Sequence, residues 1–176
     1  MPKISHVFLV ALAAVSLSSL NAAANPQMRL ADELDFPGEG YCIDVLGVGA
    51  TARTDLPLVV HNCIPGRQTE DRVAVYRDGR IEMPAYDACV TAIGVTAPLP
   101  GSAVMLRPCG GHESFLPADA LQWFDRTSEG RLRLRGSDLC LTAGPDSAAT
   151  FSASHRWRTL TMTGCATAPL ALSVWD

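Results

Sequence analysis

Six cysteines recur through this 176-residue chain at a spacing that limits the fold more than any other feature. Cys42, Cys89 and Cys140 each lie in a short apolar segment, Tyr41-Cys42-Ile43-Asp44, Ala88-Cys89-Val90-Thr91 and Leu139-Cys140-Leu141-Thr142. A second cysteine follows 21, 20 and 25 residues later, at Cys63, Cys109 and Cys165. From the first cysteine of each unit to a later aromatic, Tyr76, Trp123 or Trp175, the separation is 34, 34 and 35 residues. Two rare residue types keeping one spacing three times mark an internal repeat, and a repeat constrains the architecture before any single element is assigned.

Length allows one domain and no second full one. The first 24 residues, MPKISHVFLVALAAVSLSSLNAAA, combine a basic start, an apolar run and a small-residue end, so they read as a signal peptide cleaved after Ala24. The strongly apolar part, from Val7 to about Leu20, is shorter than the ~20 residues a bilayer span needs, and no basic stop follows it. The expectation is therefore a secreted or periplasmic protein with no integral membrane anchor. Formal net charge is −4. An acidic chain is poorly suited to nucleic acid or an anionic membrane, whose recognition rests on concentrated positive charge.

In an exported chain six cysteines read as a disulfide framework, because oxidising compartments preserve such bonds. The spacing alone leaves fifteen pairings open. Zinc is the alternative, but no Cys-x-x-Cys pair occurs and the histidines show no ligand spacing. Runs such as LPLVVHNC, SAVMLRPC and RTLTMTGC are short, apolar or β-branched, and bounded by Pro, Gly and Ser, as strands are. Asp78-Gly79 within VAVYRDGRIEM is a strong two-residue hairpin turn. The fold class is all-β, with three units that must share a core because none can bury its apolar face alone. Residues 25–37 read as a polar tail, or as the source of a strand that the third unit lacks at its C-terminal end.

This pattern resembles the ricin B-type β-trefoil lectins, whose repeat runs from Cys-x-Asp, through a strand ending in a second Cys, to Gln-x-Trp. The resemblance covers residues 38–176, with repeats at about 38–84, 85–135 and 136–176. Its best copy of the last motif is Leu121-Gln122-Trp123; Ala74-Val75-Tyr76 and Ser173-Val174-Trp175 are weaker. The resemblance implies a β-trefoil in which Tyr76, Trp123 and Trp175 fill the shared core and Gln122 ties down a loop. It also implies disulfides within units, Cys42 with Cys63, Cys89 with Cys109 and Cys140 with Cys165. Each would add roughly 3 kcal/mol on the chain-entropy estimate.

In that family an Asp two residues after the first Cys accepts hydrogen bonds from sugar hydroxyls, and an aromatic two before the second Cys stacks on the ring; an Asn beside Gln-x-Trp completes the site. A carboxylate plus a flat platform suits a neutral sugar, which offers hydroxyl donors and one apolar face. The first unit keeps Asp44 and offers His61 as a smaller platform, with Val73 in place of the Asn and Val59 in place of a further polar residue. The second unit has Thr91, Arg107 and Leu121, and the third has Thr142, Thr163 and Leu172, so neither keeps the carboxylate. The bland role for Asp44 is capping backbone N–H groups. Arg131, Arg133 and Arg135 lie on one face of a strand by alternation, a solvated face or a stripe for an anionic glycan.

No nucleophile, base and orienter can be assembled from the sequence, and the His112-Glu113 pair in GGHES extends to no motif. The expected function is a lectin-like binding module without catalysis, metal or cofactor, recognising a galactose-type or other neutral glycan through its first repeat. The other class is a trefoil with decayed sugar sites that binds a protein, as an accessory toxin or envelope subunit.

Overall fold

The computed structural model describes residues 27–64, 73–111 and 117–176. The segment read as a signal peptide and the His112-Glu113 pair lie outside them. The architecture is all-β, and the three disulfides join Cys42 to Cys63, Cys89 to Cys109 and Cys140 to Cys165, with Cα atoms 5.2, 5.0 and 4.9 Å apart. No helix among the described residues is long and apolar enough to cross a membrane.

Each unit opens with the same antiparallel ladder. In the first, β1 (Tyr41–Asp44) pairs with β2 (Val59–Asn62), so that Cys42 faces His61. A second unit follows β3 (Val75–Arg77) and β4 (Arg80–Met83): β5 (Ala88–Ala92) pairs with β6 (Val104–Pro108), and Cys89 faces Arg107. The third follows β7 (Phe124–Arg126) and β8 (Leu132–Leu134). There β9 (Leu139–Ala143) pairs with the last strand, β11 (Arg156–Gly164), and Cys140 faces Thr163. Each first cysteine thus stands opposite the residue two before its disulfide partner. Side chains of those two strands are fixed in one register in all three units.

The second ladder of each unit is a hairpin that hands over to the next. The Asp78-Gly79 turn expected from sequence joins β3 to β4, and both residues take positive φ, 50° and 88°. That conformation matches the right-handed twist of the flanking strands. Handover is also shared: Glu82 of β4 faces Cys89, Arg133 of β8 faces Cys140, and Arg29 faces Cys42. Residues 28–30 therefore supply the strand absent after Trp175. Leu30 N–H donates to the Tyr41 carbonyl at 2.8 Å, and Leu30 bridges to Trp175. Met28 and Leu30 are core residues, which separates them from a loose tail.

The register also corrects the assignment of the core aromatics. Leu30 faces Trp175 one residue after Arg29, and Leu134 faces Phe124 one residue after Arg133. In the first unit Ala74 precedes Val75, the partner of Glu82. Ala74, Phe124 and Trp175 are all fully buried, whereas Trp123 and Tyr76 are only half-buried. Successive side chains on an extended strand point to opposite faces, so Phe124 inside puts Trp123 outside. The Trp123 ring instead lies under the guanidiniums of Arg80 and Arg135, at 4.0 and 5.0 Å. Tyr76 packs at the core edge, and its hydroxyl donates to the Phe124 carbonyl at 2.8 Å. Trp175 does fill the core, with its indole N–H on the Leu141 carbonyl at 3.0 Å.

Gln122 is fully buried and joins three partners: its Oε1 accepts from Gly110 N–H at 2.9 Å, and its Nε2 donates to Thr91 Oγ1 and the Pro108 carbonyl, each at 3.0 Å. It therefore fastens the end of β6 to β5. The segment ahead of β1 is held by Asp35, which accepts from Tyr41 Oη at 2.8 Å and from Arg158 and Ser147. Arg158 is buried and stacks 4.8 Å from the Tyr41 ring. Burial works to raise the Asp35 carboxyl, but hydrogen bonds from Ser147, Arg158 and Tyr41, with the Arg158 charge, hold it far below the ordinary carboxylate range.

Candidate functional site

Asp44 and His61, placed together by sequence, line one cavity of about 730 Å³. Asp44 ends β1 and is 4% exposed, with Oδ1 accepting from the Val45 N–H at 2.8 Å. The expected capping of a backbone amide is thus present, and it leaves the side chain on the cavity wall. His61, on β2, holds its Nδ1 3.1 Å from the Asn62 carbonyl, which turns Nε2 away from the backbone. Val59 stands opposite Asp44 and forms part of the floor.

Two further rings enter from the third unit. β11 is nine residues long, and while its later part pairs with β9, its start pairs with β2 so that Trp157 faces His61. The His155 ring meets the His61 ring edge-on, with centroids 5.6 Å apart and planes at 71°. The short strand β10 (Ala148–Ala149) pairs with the other edge of this extension and brings Thr150 and Phe151 to the rim. Sequence reasoning missed His155 and Trp157 because it treated each unit separately. The available signal was His155-Arg156-Trp157, whose alternation puts both rings on one side of the chain where it enters a strand that starts well before Cys165.

A tight turn builds the opposite wall. Gly47 has φ +87°, and a Cβ there would run into the Thr51 carbonyl. Arg53 N–H closes the loop onto the Leu46 carbonyl at 2.7 Å, and Thr51 N–H bonds the Val48 carbonyl at 3.0 Å. Leu46 and Val48 are held outward by this turn at 37% and 49% exposure.

The corresponding positions of the other units are committed to the fold. Thr91 Oγ1 donates to the Cys89 carbonyl and accepts from Gln122, and Thr142 Oγ1 donates to the Cys140 carbonyl. Arg107 folds back on the Leu106 carbonyl at 3.0 Å, Leu121 is buried, and Thr163 and Leu172 are half-buried. The arginine stripe is not a continuous one. Arg131 turns to the Cys165 carbonyl and Glu129, Arg135 pairs with Asp125 at 3.1 Å, and Arg133 is exposed. Val73 is half-buried. Among the described residues, no group of three or more His, Cys, Asp or Glu side chains is placed to hold a metal ion.

Fold and cavity together define an all-β, three-disulfide domain with an aromatic-lined pocket between its first and third units. No protein-family profile matches the chain, and no curated protein matches it. Among solved structures it is similar to one described as the solution structure of an mdaA-1 domain, with a TM-score of 0.54 and 14% identity over 86% of this chain and 89% of that one. At that identity the likeness concerns the fold alone.

Proposed function

We propose that this chain is a secreted or periplasmic β-trefoil of the ricin B type that binds carbohydrate through its first repeat and carries out no reaction. The trefoil is supported by three ladders in one register and by the meeting of their second strands. β2 pairs with β11, Ala103 beside β6 bridges Thr161 of β11, and Leu58 N–H reaches the Val104 carbonyl at 2.8 Å. Export is supported by the leader-like first segment and the three disulfides.

The observation that carries the binding role is the convergence of Asp44 and His61 on one cavity, where Trp157 adds the large ring that the histidine alone does not provide. Neutral-sugar recognition needs this pairing of a carboxylate with a flat apolar surface. Binding of the oxidised, leaderless protein to a glycan array, lost in Asp44→Asn, is the expected result. An array with no hits would reject the reading. The rim of Leu46, Val48 and Phe151, exposed at 37%, 49% and 103%, favours a second reading in which this face meets a protein. A pull-down from the native secretome, alongside the array, separates the two.

A further inference from the structure

The pocket's chemistry is unevenly divided. At one end stand Asp44, His61 and His155 with the Thr150 hydroxyl, which already donates to the His155 carbonyl at 3.1 Å. The rest of the wall is hydrocarbon and indole: Leu46, Val48, Ile64, Phe151 and Trp157. A volume of about 730 Å³ lies within the ~300–1,000 Å³ range of pockets that enclose drug-sized ligands. A single sugar ring would leave much of that space empty. A larger oligosaccharide would fill it but would press hydroxyls against side chains that offer no partner, which is unfavourable because a buried hydroxyl must be paired.

We infer that the ligand is an amphiphilic glycoside: one sugar residue against Asp44 and His61, and an aromatic or acyl aglycone against Leu46, Val48, Phe151 and Trp157. This rests on the carbohydrate reading and adds the second half of the ligand. The turn around Gly47 supports it, since its internal hydrogen bonds hold Leu46 and Val48 in place before any ligand arrives. An apolar wall fixed in advance loses little conformational freedom on binding. Phe151 is fully exposed, at 103%, among the described residues.

The test is calorimetric titration of the oxidised leaderless protein with matched methyl and phenyl β-glycosides of galactose, glucose and N-acetylglucosamine, with benzyl alcohol as the sugar-free probe. For the sugar that binds, the phenyl glycoside is expected to bind at least tenfold more tightly than the methyl glycoside, and Phe151→Ser and Val48→Ser to shrink that ratio. Equal affinity for the two glycosides would overturn the amphiphile and leave the carbohydrate reading standing. Benzyl alcohol binding as tightly as the phenyl glycoside, or no glycoside binding at all, would overturn both. Since Phe151 is fully exposed and Val48 half so, a folding failure is not an expected result for either variant, and circular dichroism checks this.

Discussion

His61 and Trp157 are registered partners on adjacent antiparallel strands, although one belongs to the first cystine unit and the other to the third. Facing residues on one side of an antiparallel pair have their Cβ atoms about 4.5–5.5 Å apart, close enough for both rings to border one ligand. Trp157→Ala and His61→Ala should each weaken binding about tenfold, close to 1.4 kcal/mol. The double variant should lose less than the sum, because neighbours that share a partner couple. Titration of the four proteins with one glycoside measures this, and strict additivity would separate Trp157 from the site.

Asp44→Asn tests the carboxylate without dismantling the loop. An Asn side chain keeps an oxygen to accept from the Val45 N–H, the bond that Asp44 makes at 2.8 Å. Sugar affinity should fall by more than tenfold, since hydrogen bonds to a charged acceptor are roughly twice as strong as neutral ones. The urea midpoint should move little. A large fall in midpoint with binding retained would make Asp44 a structural residue.

Two adjacent aromatics have opposite roles. Phe124 is fully buried at the position shared with Trp175, so Phe124→Ala should cost about 3–5 kcal/mol. Trp123 contacts two arginines that keep their own acids, Arg80 with Asp119 and Arg135 with Asp125. Trp123→Ala should cost about 1–2 kcal/mol, the scale of surface cation–π contacts with some lost packing. Urea unfolding of both variants gives the comparison, and the reverse ranking would restore Trp123 to the core.

Asp35 ties the segment before β1 to the third unit. Its carboxyl is depressed in the folded protein because hydrogen bonds from Ser147, Arg158 and Tyr41 outweigh the opposing effect of burial. A depressed carboxyl contributes stability above its unfolded pKa, about 3.9, and that contribution fades as pH falls through the lower folded value. Asp35→Asn should therefore be less stable than the native chain at pH 6, by a margin that begins to shrink below about pH 3.9 and is clearly smaller at about pH 2. The deficit at pH 6 should be about 2 kcal/mol, less than the ~3–5 of a fully buried broken pair, since the Asp35 side chain is 42% exposed and solvent screens it. Urea titrations at the two pH values decide it; a deficit unchanged in acid would make the loss one of packing.

The cysteine and aromatic spacing was enough to read three repeated units, but it left fifteen disulfide pairings open, and the within-unit pairs that the structure shows came from the resemblance to the ricin B-type repeat. Asp44 and His61 also came from that resemblance, counted from the cysteines of the first ladder, and the structure brings both to one cavity. Trp123 misled because tryptophan is conspicuous and its distance from Cys89 fits the repeat, while strand alternation gives the inward position to the less conspicuous Phe124. Gln122 and Phe124 stand two apart, as the motif requires. Trp157 and His155 were illegible for a different reason. Trp157 reaches the first unit through the early part of β11 and His155 through its edge contact with His61, contacts between repeats that no count within one repeat can show.

Leu30 meets Trp175 at the seam that closes the molecule. Cystine loops of 20 to 25 residues close locally, whereas this seam joins the segment before the first unit to the last strand of the third. Distant pairings of this kind slow folding. A chain whose cystines have closed but whose seam has not is therefore oxidised yet open, its core accessible to chaperones and proteases until Trp175 docks against Leu30.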